Sequence, residues 1–251
     1  MKKIVVKIGG STLGEHDTTI DDIIELHKQG TMPVVVHGGG KKITEWLDKL
    51  GIVTEFKDGL RVTDEHTLEV VIGILCGVVN KELVAAINSR GGKAIGLCGY
   101  DGNMILAEQM SQEIGYVGEV RKVNPAPIQA VIDAGYIPVI APGGHDGTHM
   151  LNVNADTVAG EVALAIRADE MIFLTDVAGV MDSSGDLYKT LYKEEMGSLF
   201  DLEVISGGMI PKMFACLRAL LFVDTARIID GRQSHALMDV LNGKEMGTVI
   251  K

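Results

Sequence analysis

The sequence predicts an α/β fold in which a parallel or mixed sheet is covered by helices on both faces. Short β-branched runs recur along the chain, helically spaced apolar residues separate them, and four of the runs end in glycine-rich or small-residue turns. Near-continuous apolar runs bounded by turns are the pattern of strands buried on both faces, and their alternation with helices points to a sandwiched sheet.

The runs fall at 3–8, 33–37, 93–98, 137–141, 171–175 and 226–230. Helical spacing joins Ile20, Ile23, Ile24 and His27, then Ile43, Trp46, Leu47 and Leu50. It recurs in Val158, Val162 and Ile166, and in Met213, Leu217 and Leu220. The longest helical segment, 65–89, carries Leu68, Val71, Ile72, Leu75, Val78, Val79, Leu83 and Ile87, which cover more than one stripe. Such a helix needs partners on two sides: it is either a fully buried core helix or, the preferred expectation, one that packs on another subunit. A lobe boundary is expected near 168–171, dividing the chain into 1–170 and 171–251.

A chain of 251 residues, 46% hydrophobic and 23% charged, can bury a sizeable core and is too apolar for a disordered protein. Aromatic residues make up only 4%, so that core is aliphatic. Cys76, Cys98 and Cys216 are odd in number and widely spaced, which suits reduced thiols in the cytosol rather than a disulfide framework. The opening Met-Lys-Lys lacks the apolar run of a secretion signal, and no membrane span is expected. A net charge of −11 with no basic, aromatic-interleaved cluster argues against nucleic acid as a partner. His145 and His149 are separated by a turn sequence, so no metal site held by protein ligands is expected.

The glycine turns are Gly9-Gly10, Gly38-Gly39-Gly40, Gly143-Gly144 and the segment Asp176-Val177-Ala178-Gly179. At the carboxyl ends of strands, glycine lets backbone N–H groups approach an anion, so several such turns on one edge imply a long anionic ligand or two ligands end to end. Neither a P-loop nor the dinucleotide fingerprint is present: Gly40-Lys41 is followed by lysine, and no strand leads into Gly-x-Gly-x-x-Gly. Lys7 sits near the end of an apolar strand, where burial without an anionic partner is costly. Lys212 sits near the start of a helix, against the macrodipole. A phosphate between these lysines accounts for both. Asn152 and Asp156 precede or open a helix, as caps or as an amide for substrate and a carboxylate for the lysines. Arg61, in a loop before the long helix, suits two-pronged capture of a carboxylate.

These residues resemble the amino acid kinase family, and within it the members that phosphorylate N-acetyl-L-glutamate. The likeness runs over essentially the whole chain: Lys7-Ile-Gly-Gly10, Val36-His-Gly-Gly-Gly40, Gly59-Leu-Arg-Val-Thr-Asp64, Asn152-Val-Asn-Ala-Asp156, Leu174-Thr-Asp-Val-Ala-Gly179, Gly207-Gly-Met-Ile-Pro-Lys212 and Gly247-Thr-Val-Ile250. The resemblance implies an open, mainly parallel eight-stranded sheet in three αβα layers. It implies ATP-dependent formation of N-acetyl-L-glutamyl 5-phosphate, a step of arginine biosynthesis, with Mg2+ carried by the nucleotide. Gly39, Gly40, Arg61 and Asn152 would bind the acceptor, Lys7 and Lys212 would stabilise the migrating phosphoryl group, and Asp156 would orient them. Gly9, Gly10, Asp176, Val177, Ala178, Gly179, Val180, Met181, Val204, Ile205 and Ser206 would line the nucleotide site, placing acceptor binding in 1–170 and ATP in 171–251.

Where the family often reads Gly-Leu-Ser-Gly-Lys-Asp-Gly-Asn, this chain reads Gly96-Leu-Cys-Gly-Tyr-Asp-Gly-Asn103. The alternatives are a kinase for a carrier-linked aminoadipate or glutamate, a member using carbamate, aspartate, free glutamate or UMP, and a nucleotide-binding regulatory module without turnover. A homodimer paired through 65–89 is expected. The resemblance ties arginine inhibition to a helix ahead of the first strand, and with that strand beginning by residue 3, insensitivity to arginine is the expectation.

Overall fold

All six apolar runs become mutually parallel strands of one sheet, with 93–98 at its edge. The computed structural model describes residues 1–9, 18–201, 205 and 207–251; Gly10, Val204 and Ser206 lie outside the described residues. In chain order the first half holds β1 (Lys3–Ile8), α1 (Thr19–Lys28), β2 (Met32–His37), α2 (Gly40–Lys49), β3 (Phe56–Lys57), β4 (Leu60–Arg61), α3 (Glu65–Ser89), β5 (Ala94–Cys98), β6 (Ile105–Gln109) and β7 (Val117–Val123). The second half holds α4 (Ala126–Asp133), β8 (Ile137–Ala141), β9 (Gly143–His145), β10 (Met150–Val153), α5 (Ala155–Ala165), β11 (Glu170–Thr175), β12 (Thr190–Leu191), α6 (Met196–Asp201), α7 (Met209–Ala219), β13 (Thr225–Asp230), α8 (Ala236–Leu241) and β14 (Thr248–Ile250).

The main sheet has eight strands in the order β12-β14-β13-β11-β1-β2-β8-β5. All neighbouring pairs are parallel except β13 with β14. Strands β2, β8 and β11 are buried along their whole length, which is why they read as unbroken apolar runs. On one face, Ile4, Val6 and Ile8 pack with Ile23, Leu47, Leu75 and Leu237 from α1, α2, α3 and α8. On the other, Val5, Val36 and Phe173 pack with Val158, Val162, Met213 and Cys216 from α5 and α7. Trp46 and Leu50, expected on the buried stripe of α2, are instead 38% and 56% exposed, and Ile43 and Leu47 carry that contact.

A second, smaller sheet closes on itself in the order β10-β7-β6-β9, a set of strands the apolar runs do not predict. Its strands alternate or are too short: β9 is Gly-Gly-His, and β7 buries Val117, Val120 and Val123 while exposing Glu119, Arg121 and Lys122. β3 and β4 form a hairpin whose turn residues, Asp58 at φ 50° and Gly59 at φ 78°, both adopt the left-handed conformation that a two-residue primed turn requires. Arg61, expected in a loop, is therefore fixed on a strand.

Helix α3 starts at Asp64, whose carboxylate accepts the Thr67 N–H at 2.7 Å, and it is wound as a π-helix from Gly73 to Val79. By length and composition it could cross a membrane, but Leu68, Val71, Leu75, Val79, Leu83 and Ile87 are buried in the protein. Glu69, Gly73 and Gly77 lie exposed on the opposite side.

Candidate active site

Strand β1 is where the chain order of the sheet reverses, with β2 on one side and β11 on the other. Ligands of open α/β sheets gather at such a switch point, beyond the carboxyl ends of the strands. Gly9, Gly38, Pro142 and Asp176 leave β1, β2, β8 and β11 at that edge. The backbone there is tied strand to strand, with Gly9 N–H donating to Leu174 O at 3.1 Å and Gly38 N–H to Ile8 O at 3.0 Å.

Lys7 occupies β1 on the face shared with α5 and α7 and is only 6% exposed. Its ammonium lies 2.7 Å from Asp156 Oδ1, an ion pair without an aligned hydrogen bond. Lys212 Nζ donates to the other carboxylate oxygen, Oδ2, at 3.0 Å and to Gly208 O at 3.1 Å. One buried carboxylate thus holds two ammonium groups side by side, leaving a net positive charge at the head of the sheet. Like charges so close repel, and an incoming anion relieves that repulsion.

The Asn152-to-Asp156 segment divides its work. Asn154 caps α5 through its side-chain oxygen, which accepts the N–H groups of Asp156 and Thr157 at 2.9 and 3.1 Å. Asn152 instead lies on β10, where its amide donates to Thr63 Oγ1 at 3.1 Å. The Thr63 hydroxyl in turn donates to the Arg61 carbonyl at 2.7 Å, so one threonine couples Asn152 to Arg61.

Arg61 is 7% exposed, and its guanidinium carbon lies 4.8 Å from the Phe56 ring centroid. It donates to Thr54 Oγ1, Thr44 Oγ1 and Gly40 O at 3.2, 2.9 and 3.0 Å. Burial lowers its pKa while Asp48 opposes that shift. A single cavity of about 200 Å³ is lined by Lys7, Gly39, Gly40, Arg61, Asn152 and Asp156, with Ile43, Phe56 and Leu75 among its apolar walls. Drug-sized ligand pockets run to ~300–1,000 Å³. This one is smaller and suits a compact metabolite.

Asp176 to Met181 follow β11 at the same sheet edge. Val177 and Met181 are exposed apolar residues, whereas Val180 and Ile205 are buried in the core. Gly179, at φ 152°, has no room for a side chain, since a Cβ would lie 2.6 Å from Thr248 Oγ1. Thr248, fully buried, accepts the Val180 N–H at 2.9 Å and donates to Tyr188 O at 2.6 Å, pinning the 176–181 segment. Sequence reasoning did not single out Thr248, although it stands in Gly247-Thr-Val-Ile250.

The family model for the amino acid kinase family matches residues 2–229. The acetylglutamate kinase of Thermosynechococcus vestitus is 46% identical over 259 residues, spanning 99% of this chain and 88% of that protein. Among solved structures, smu.665 of Streptococcus mutans UA159 superposes with a TM-score of 0.86 at 28% identity, covering 99% and 98% of the two chains. N-acetylglutamate synthase of Neisseria gonorrhoeae, solved with coenzyme A and N-acetyl-glutamate, gives 0.86 at 26% identity over 99% of this chain and 59% of the synthase. The eight-stranded, mainly parallel sheet between two helical layers is the architecture expected from the sequence, and with a family match over nine-tenths of its length the chain belongs to the amino acid kinase family.

Proposed function

We propose that this kinase transfers the γ-phosphoryl group of ATP to the side-chain carboxylate of N-acetyl-L-glutamate. The observation that carries the reading is the cavity shared by Lys7, Asp156 and Arg61, with Lys212 held on the other oxygen of the same Asp156 carboxylate. Its likeness to acetylglutamate kinases over nearly its whole length supports the same acceptor.

The chemistry asks little of a base. A carboxylate with a reference pKa of ~4.3 is already ionised at neutral pH, so catalysis reduces to in-line placement and neutralisation of charge on the phosphoryl oxygens. Arg61 and Asn152 would hold the acceptor, the Gly39 and Gly40 amides would face the migrating group, and Lys7 and Lys212 would take up its charge. Asp156 would keep the two lysines apart yet adjacent. The nucleotide would lie along Gly9 and the 176–181 segment, with adenine against Val177 and Met181, and magnesium arriving on its phosphates. Acceptor binding would fall within 1–170 and ATP within 171–251, two lobes sharing one unbroken sheet.

The protein would act in the cytosol as a homodimer paired through the exposed side of α3, where Gly73 and Gly77 allow close approach. Turnover of ATP is to be measured with acetylglutamate, glutamate, aspartate, aminoadipate, carbamate and UMP. Preference for any acceptor other than acetylglutamate overturns the assignment, and sedimentation as a monomer overturns the dimer.

A further inference from the structure

Beyond the residues that line the cavity, a buried pair lies directly behind its glycine turn. His37, the last residue of β2, is 0% exposed, and its ring is held between two partners. Nδ1 lies 2.9 Å from Gly38 O, and Nε2 lies 3.1 Å from the side-chain nitrogen of Asn80, a residue of α3 that is 1% exposed.

The orientation of Asn80 is fixed by its other neighbours. Its amide nitrogen also donates to Val139 O at 2.9 Å, while its oxygen accepts from Lys81 Nζ at 3.0 Å. Reversed, the side chain would set oxygen against a carbonyl and nitrogen against an ammonium. The NH2 group therefore faces His37, so Nε2 must accept and the ring proton must sit on Nδ1. Burial, with smaller contributions from Lys7 and Lys81, lowers the pKa of His37 to about 4 against the opposing hydrogen bond to Gly38. The ring is neutral at working pH and donates from Nδ1 to Gly38 O.

That bond sets the direction of a peptide. No cis peptide bonds occur among the described residues, so the carbonyl of Gly38 and the N–H of Gly39 point opposite ways. A carbonyl tied to the His37 ring sends the Gly39 N–H away from it. Neither Gly39 N–H nor Gly40 N–H meets an acceptor among the described residues, and both glycines line the cavity beside Lys7. The turn is pressed onto α3 as well, since a Cβ on Gly39 would lie 2.6 Å from Leu75 Cδ2. Space for Asn80 comes from Gly96, where a Cβ would fall 1.9 Å from the Asn80 oxygen.

We propose that Asn80 and His37 are positioning residues for phosphoryl transfer: Asn80 selects the His37 tautomer, and His37 aims the Gly38–Gly39 peptide so that its N–H faces the transferring group. This rests on the kinase reading above.

Two readouts on the full-length protein separate the proposal from that reading. Long-range 1H–15N correlation spectra at pH 7.5 should show His37 as the Nδ1–H tautomer, and Asn80→Leu should shift it toward Nε2–H and lower kcat about tenfold, with acceptor KM changed less than threefold. His37→Asn, whose amide nitrogen can occupy the place of Nδ1, should turn over about tenfold faster than His37→Gln, whose nitrogen reaches only the place of Nε2. An Nε2–H tautomer in the wild type overturns the proposal. So does equal or greater turnover by His37→Gln, or a tautomer change in Asn80→Leu at unchanged kcat. Should Asn80→Leu fail to fold, the two His37 variants carry the test. A wild-type protein inactive on acetylglutamate sinks the functional reading and leaves the tautomer measurement standing.

Discussion

Gly160 of α5 faces Ala215 of α7 so closely that a Cβ on Gly160 would lie 2.7 Å from the Ala215 carbonyl oxygen and 3.0 Å from its Cα. Asp156 stands one turn before Gly160, and Lys212 stands three residues before Ala215. The helix crossing therefore sets the 3.0 Å contact between the carboxylate and Lys212. Replacing Gly160 by alanine gains roughly 1 kcal/mol of helix propensity but presses a methyl group against backbone that cannot swing aside. Overpacking of this kind costs ~1–3 kcal/mol, so Gly160→Ala should lower both the urea midpoint and kcat. A variant more stable than wild type with undiminished kcat would show that the crossing does not set the ion pair.

Lys7→Ala and Lys212→Ala should each lower kcat by about 10²–10³-fold with little change in acceptor KM, because each ammonium is assigned to charge that develops during transfer. Asp156→Asn should also lower kcat while circular dichroism stays native. Combined with Lys7→Ala, it should cost less than the product of the two single losses, since both act through one contact. Strictly multiplicative losses would mean that Asp156 acts independently of Lys7.

The central strands were legible because burial on both faces leaves no polar alternation, and Lys7 was conspicuous because it interrupts such a run. The small closed sheet was not legible, since β9 reads as a glycine turn and β7 alternates with charged residues. Asn152 and Asn154 look alike in sequence, and only the fold assigns one to a strand beside Thr63 and the other to a helix cap. His37, Asn80, Gly160 and Thr248 acquire their roles from partners remote in the chain, which no local pattern encodes. The expected positions at Gly10, Val204 and Ser206 fall outside the described residues.

Arg61→Lys keeps the charge but cannot span Thr54, Thr44 and the Gly40 carbonyl together, nor stack flat on Phe56. Loss of these supports should raise acceptor KM by about tenfold or more, with the KM for ATP changed little. A rise confined to the KM for ATP would move Arg61 to the nucleotide site.

His37 also predicts how the fold responds to acid. An unfolded histidine titrates near 6.5, whereas His37 in the folded protein holds out to about 4. Between those values the unfolded chain binds a proton that the folded protein refuses, so stability is full above the unfolded pKa and falls as pH drops toward the folded one. Each pH unit in that window removes ~1.4 kcal/mol, which gives about 2 kcal/mol between pH 6.5 and pH 5. His37→Asn lacks the titrating ring and should lose about 2 kcal/mol less than wild type when urea unfolding is compared at pH 7.5 and pH 5. His27, lowered by burial and by Lys93, and His235, raised by its hydrogen bond and ion pair with Asp22, are present in both proteins and cancel from the comparison. Equal losses in the two proteins would mean that His37 accepts a proton in the folded state above pH 5, and the neutral ring that aims the Gly38–Gly39 peptide would not survive there.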